Sequence, residues 1–285
     1  MKLAFALVAT ISWMGCGIDT AAPGPGGDDG TGSGSGSGSN PVDPGPGTGP
    51  VTEVSGIISA STTWKDTIHI IAATTISAGV TVTVAPGTTV DVTSSIGITL
   101  SGTLDIQGTK ASPVVFRAAT TGGYWGTLGI PKGGLLKASY LVQTGGDLGI
   151  SNTGKAIFVD SKLSRAGGDL LTMSGGTLDM SYSSIGLEVG HDTTHCNMHV
   201  SGGVTIKATH SNLSAVAYGI MFYGGTNADF TYDNWFGNTY DVATNPAYPV
   251  TGNFSYSYFA KGPPTNAGVT ATNLAAARVA DAGPR

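Results

Sequence analysis

Along the second half of the chain one six-residue pattern recurs: apolar, two variable positions, serine, one variable position, apolar. The copies are Leu136–Leu141, Phe158–Leu163, Met180–Ile185, Ala208–Leu213, Thr231–Phe236 and Phe254–Phe259; Asn234 replaces the serine once, and Ala or Thr twice fills the first slot. Their last residues lie 22, 22, 28, 23 and 23 positions apart. A period of this size marks a stacked-repeat architecture, because no single unit can bury its apolar face alone. The units are short, rich in Ser, Thr, Tyr and Phe, and bounded by glycine pairs, which makes them strands. Upstream, Val80, Val82 and Val84, then Ile96, Ile98 and Leu100, then Leu104 and Ile106 alternate with the period of strands buried on one side. One strand per ~22 residues, with room for two more between, predicts an all-β, single-stranded parallel β-helix of about nine coils. The single helix candidate, Asn273–Ala280, lies near the end of the chain.

Coils of a β-helix stack at strand spacing, about 4.8 Å, so equivalent residues form columns. The last repeat position gives an inward column of Leu141, Leu163, Ile185, Leu213, Phe236 and Phe259. Two residues earlier stand Ser139, Ser161, Ser183, Ser211, Asn234 and Ser257, whose short polar side chains suit bonding at a bend. That column reads as structural rather than nucleophilic.

Composition narrows the class. Only 11% of residues are charged while 45 of 285 are glycine, which disfavours a helical bundle. The net charge of −5 and the lack of any Lys/Arg cluster argue against nucleic acid and anionic membrane surfaces as partners. The N-terminus has Lys2, then an apolar run Leu3–Met14, too short to span a bilayer and suited to a signal-peptide core. Gly15-Cys16 after it resembles the bacterial lipoprotein signal, in which the cysteine becomes lipidated. Residues 17–50 are almost entirely Gly, Ser, Pro and Asp, the composition of a disordered tether. The expected organisation is a signal peptide over 1–16, a linker over 17–50, a β-helix over 51–262 and a tail or cap over 263–285. With Cys16 lipidated, Cys196 has no intramolecular disulfide partner.

Ala85-Pro86-Gly87-Thr88-Thr89-Val90, then Ser101-Gly102-Thr103-Leu104, Gly108-Thr109, Ser112-Pro113-Val114-Val115-Phe116 and Trp125-Gly126, together resemble the opening coils of right-handed parallel β-helix, pectin-lyase-like surface proteins. Asn234-Trp235-Phe236-Gly237-Asn238 resembles their Asn-rich repeat, and Asp281-Ala282-Gly283-Pro284 their usual ending. The resemblance covers Val54 to Arg285. It implies a fold but no single activity, since the superfamily holds lyases, hydrolases, adhesins and proteins without an assigned reaction. By resemblance to the sorting of diderm lipoproteins, Gly17 after the cysteine implies the outer membrane or cell surface.

Three places could carry chemistry. The 28-residue spacing implies an insertion around His191–His199, and four of the five histidines lie between 191 and 210. Asp147, Asp169 and Asp192 follow their repeat anchors by six, six and seven residues, so they are expected on one edge of neighbouring coils. There, Ca²⁺ would suit the oxygens, and His191 or His195 would tilt the site towards Zn²⁺. Thirteen of the 22 aromatic residues fall between Tyr218 and Phe259, and Trp235 and Tyr258 are expected to face outward as a platform for sugar rings. For a general acid–base reaction the candidates are His210, Asp233 and Arg165; a lone Cys196 is a weak nucleophile candidate. The leading expectation is a lipid-anchored, non-enzymatic surface protein that binds carbohydrate or envelope components. The alternatives are a polysaccharide lyase or glycoside hydrolase acting on the lateral face, and a purely structural envelope protein.

Overall fold

The computed structural model describes residues 49–285 except 188, 189, 193 and 249. Cys16, the apolar run before it and nearly all of the Gly/Ser tether lie outside the described residues. The described residues form an all-β parallel solenoid with three strand ladders, and no helix occurs among them.

One complete coil shows the plan: Thr81–Val84 on the first face, Thr89–Val92 on the second and Ile98–Leu100 on the third. The next coil repeats it with Thr103–Gln107, Val114–Ala118 and Thr127–Ile130, each paired in parallel with its counterpart. In later coils the third face bends directly into the first within one strand, as in Asp147–Val159 and Leu171–Ser181. Every inward residue then meets its equivalents above and below. On the second face the register runs Ile68, Val90, Phe116, Gln143, Leu163, Ile185, Leu213, Trp235 and Phe259, one residue for each of nine coils. All nine are buried. Gln143 is the polar member, and its amide donates to the carbonyl of Gly146.

This column corrects the expected register at two repeats. Gln143, not Leu141, pairs with Leu163, so the first repeat is Ala138–Gln143. Trp235, not Phe236, pairs with Leu213 and Phe259, so the fifth is Phe230–Trp235. With those shifts the first repeat position becomes uniformly inward: Ala138, Phe158, Met180, Ala208, Phe230 and Phe254 are all buried. The structure fixes the two inward positions and lets Leu141 and Asp233 stand where serine stands elsewhere.

The insertion also ends earlier than expected. Cys196–Val200 is a regular third-face strand paired with Leu171–Met173, so the extra residues lie in 186–195. Asn197 anchors this return, donating from Nδ2 to the carbonyls of Ile185 and Ser214 at 3.1 Å each.

Beyond Val269–Thr270, which pairs with Gly252 and Asn253, the chain does not form the helix expected over Asn273–Ala280. It runs back along the solenoid as an extended strap. Ala275 donates to the Ser257 carbonyl, Val279 to Asn234 Oδ1, Gly283 to the His210 carbonyl and Arg285 to Asp160, partners that step back along the corner, the last step passing over the coil of Tyr182. Four backbone N–H groups of the strap, those of Ala275, Val279, Gly283 and Arg285, are satisfied by the body in place of a helical ladder.

Candidate functional site

The corrected repeat is a corner. In each copy the first apolar residue ends the first face, the third residue turns the chain, and the fourth and sixth point inward on the second face. The turning residues are Tyr140, Asp160, Tyr182, His210, Tyr232 and Tyr256, all left-handed with φ between 47° and 63°. Such a conformation is uncommon outside glycine and persists where surrounding bonds impose it. Those bonds come from the next residue along. Ser161, Ser183 and Ser211 each accept from the backbone N–H one coil earlier, at 3.1–3.2 Å, and donate to the carbonyl two residues before themselves. Ser257 accepts from the Asp233 N–H at 3.0 Å and donates to the Phe230 carbonyl.

Asp233 occupies the serine position in this ladder. Its Oδ1 accepts from the Ser211 N–H at 2.7 Å, while buried Oδ2 finds no partner among the described residues. Burial pushes its carboxyl well above the usual carboxylate range, outweighing the Ser211 bond.

Because the turning residues point outward, their side chains stack along the corner. Tyr182 and His210 lie 5.1 Å apart, His210 and Tyr232 5.0 Å, and Tyr232 and Tyr256 5.0 Å, all in stacked geometry. Tyr232 and Tyr256 are exposed, and Tyr182 and His210 half-buried. The Arg285 guanidinium closes the stack, 3.7 Å from the Tyr182 ring centre. Beside it runs an amide ladder: Asn234 Nδ2 donates to Asn212 Oδ1 at 3.0 Å and also to the Val279 carbonyl of the strap. Gly283 passes so close that an added Cβ would lie 2.6 Å from Asn212 Nδ2, and its φ of +104° suits glycine alone.

A second cluster forms where the third face begins. Asp169 accepts from both sides: Oδ1 lies 3.0 Å from His195 Nδ1, and Oδ2 lies 2.9 Å from His199 Nδ1. Cys196 Sγ is 3.2 Å from the same His195 nitrogen. Burial raises the Asp169 carboxyl, but bonds to His199, His195 and Cys196 outweigh it and hold the group below the usual range. His199 stacks on Tyr223 at 4.9 Å, and His195 meets the edge of Tyr218, which stacks on exposed Tyr240.

The sequence-predicted residues divide accordingly. Asp147 and Asp169 are close enough to repel, yet Asp147 accepts from Thr127 Oγ1 at 2.6 Å, and burial first, then Asp169, raises its carboxyl despite that bond. Asp192 does not join them. It is buried, with Oδ2 accepting from the Arg165 N–H at 2.7 Å and Oδ1 from the Thr194 N–H at 3.2 Å, so it holds the inserted loop to its neighbour. His191 bonds through Nδ1 to the Asp192 carbonyl at 2.7 Å and is apart from the Asp169 cluster's contacts. His199 and Cys196 are the cluster members that sequence reasoning left out of its cation site. Their signal is the alternation of Cys196–Val200, which is a strand and not part of the inserted loop.

Trp235 is not on the surface. It is wholly buried, stacked at 5.7 Å on Phe259 and edge-on at 5.3 Å to Phe230, because the register turns it inward. Phe236 takes the outward place and lies beneath the tail, with Arg278 3.7 Å above its ring. Tyr258 is half-buried and pairs with Asn234. His210, Asp233 and Arg165 do not share a groove. His210 is in the outer stack, Asp233 is in the inner ladder, and Arg165 donates from Nη2 to the Gly122 carbonyl beside Tyr124, lining a shallow cleft with Arg117 and Thr144. Comparison of the chain with protein-family models, with curated proteins and with solved structures returned no match.

Proposed function

We propose that the chain is an exported, lipid-anchored surface protein, similar to the pectin-lyase-like β-helix proteins, whose solenoid binds an extended polysaccharide or envelope polymer without turning it over. The observation that carries this reading is the stack Tyr182–His210–Tyr232–Tyr256, exposed at Tyr232 and Tyr256 and half-buried at the other two. It is a row of equivalent groups at coil spacing on a rigid edge. Each ring uses its faces on its neighbours, so a ligand meets ring edges, phenolic hydroxyls and the imidazole. That chemistry suits a polymer that repeats hydroxyls and C–H groups along its length, lying parallel to the solenoid axis.

Two measurements test it. A panel of soluble polysaccharides is titrated against the full chain and against a Tyr232→Ala/Tyr256→Ala variant. Binding that falls at least tenfold in the variant supports the site; no binding to any polymer, or equal binding by both proteins, overturns it. Separately, Cys16→Ser is expected to release the protein from membranes or leave its leader uncleaved. A processed, membrane-bound Cys16→Ser protein would remove the lipid anchor from the reading.

A further inference from the structure

We infer that Asp169, His195 and Cys196 form a binding site for a transition-metal dication of the zinc type, with His199 orienting the carboxylate. This site is independent of the polymer-binding reading, which rests on a different corner. The observation is the convergence of three unlike donors. A carboxylate oxygen, an imidazole nitrogen and a thiol sulfur all lie within 4.8 Å of one another. An oxygen, nitrogen and sulfur set at that span matches the ligands Zn²⁺ takes in tetrahedral sites, where metal–ligand bonds are about 2.0–2.3 Å. Mixed donors with a thiolate exclude Ca²⁺, which takes oxygens, and select a softer ion.

The surroundings fit a site rather than a chance meeting. Cys196 is fully buried, and its position is imposed by the register that pairs it with Tyr218 one coil on. Asp169 is held from its other oxygen by His199, which is itself braced against Tyr223. A carboxylate oriented in this way presents one oxygen in a fixed direction, the arrangement that raises metal affinity. The His195 side chain is 40% exposed, so an ion has a route from solvent to a buried sulfur. Nδ1 of His195 faces both Asp169 and Cys196. That geometry does not make a nucleophile–base–acid relay, which would use the two ring nitrogens in turn. It does place one ring nitrogen between an oxygen and a sulfur, where a cation replacing the Nδ1 proton can join all three.

Binding exchanges a proton for the metal. The Cys196 S–H bond breaks as the S–metal bond forms, and the proton passes to solvent, with no change of oxidation state. His195 gives up its Nδ1–H bond to Asp169: the Nδ1 proton leaves to solvent, Nε2 takes one from solvent, and the neutral ring coordinates through the freed Nδ1 lone pair. The fourth position is left to water.

Cobalt(II) provides the readout, because a thiolate–cobalt bond gives a near-ultraviolet charge-transfer band. The full chain, stripped with a chelator, is titrated with cobalt and then with zinc, beside the variants Cys196→Ser, Asp169→Asn, His195→Gln and Cys16→Ser. One equivalent of cobalt should produce the band, and one equivalent of zinc should abolish it. Cys16→Ser should retain it, Cys196→Ser should lose it, and Asp169→Asn and His195→Gln should weaken cobalt binding by about tenfold or more. Circular dichroism of each variant separates loss of the site from loss of the fold. Should Cys196→Ser not fold, the Asp169→Asn and His195→Gln affinities decide the matter. No band in the folded parent, a band lost only in Cys16→Ser, or unchanged affinity in Asp169→Asn and His195→Gln would overturn the proposal.

Discussion

Arg285 grips Asp160 across 125 residues of sequence, donating from its backbone N–H and Nε to Oδ1 and from Nη2 to Oδ2 at 2.9–3.1 Å. Asp160 is the only carboxylate among the six turning residues of the corner. Asp160 thus gives the strap a negative partner, and the Tyr182 ring gives its guanidinium an aromatic face. Burial alone would raise the Asp160 carboxyl, but the Arg285 hydrogen bonds and charge, with a bond from Tyr140, leave it below the usual range.

A depressed carboxyl fixes the sign of the pH dependence. Asp160 contributes stability above its unfolded pKa, and that contribution fades as pH falls through its lower folded value. The Asp160 contribution to the melting temperature should fall on acidification through and below the ordinary carboxylate range. In Arg285→Ala the melting temperature should be lower at pH 7, and the part of the acid dependence due to Asp160 should flatten. Melting curves of the two proteins between neutral and acid pH check this; parallel curves would dissociate the strap from Asp160.

Asp233 has the opposite sign. Its folded carboxyl lies above its unfolded value, so its cost is absent below the unfolded pKa and grows as pH rises towards the folded one. Asp233→Ser restores the hydroxyl of its ladder neighbours and removes a buried oxygen without a partner, a defect of about 1–3 kcal/mol. The variant should melt higher than the parent at pH 7, with the gap narrowing on acidification. Chemical denaturation at two pH values measures it.

The register makes neighbouring residues differ sharply. Leu163 is inward and Lys162 outward. Leu163→Asp should prevent folding, since it places an unpaired charge between coils, whereas Lys162→Asp should stay within about 0.5 kcal/mol of the parent. Circular dichroism of the two purified variants decides, and similar behaviour would refute the assigned facing.

Trp235 gives the same test where the sequence pattern pointed the other way. As a buried ring packed on Phe230, Phe254 and Phe259, its replacement by alanine should cost about 3–5 kcal/mol. Tyr258→Ala, on the half-buried outer side, should cost much less. Denaturant unfolding of both variants checks the order; a larger loss at Tyr258 would restore the outward placement of Trp235.

The alternation and the spacing of the corner repeats determined the solenoid by themselves, because strand periodicity and stacking are local consequences of side-chain order. They also determined that Leu163, Ile185, Leu213 and Phe259 face inward and that serines line the bend. What the tertiary structure decided is the register where a repeat lacks its serine. Gln143 and Trp235 enter the core because their backbones must pair with fixed neighbours, and no rule of composition places a glutamine or favours tryptophan over phenylalanine there. The candidate sites depend on the same cross-coil pairing. Tyr182, His210, Tyr232 and Tyr256 are separated by 28, 22 and 24 residues, and only the left-handed corner stacks them. Asp169 meets His195 and His199 because the inserted loop closes at His195 and returns the chain to regular pairing, which brings donors 26 and 30 residues apart to one carboxylate. Loop closure and coil stacking are non-local, so the sequence supplied the donors and the fold chose which of them meet.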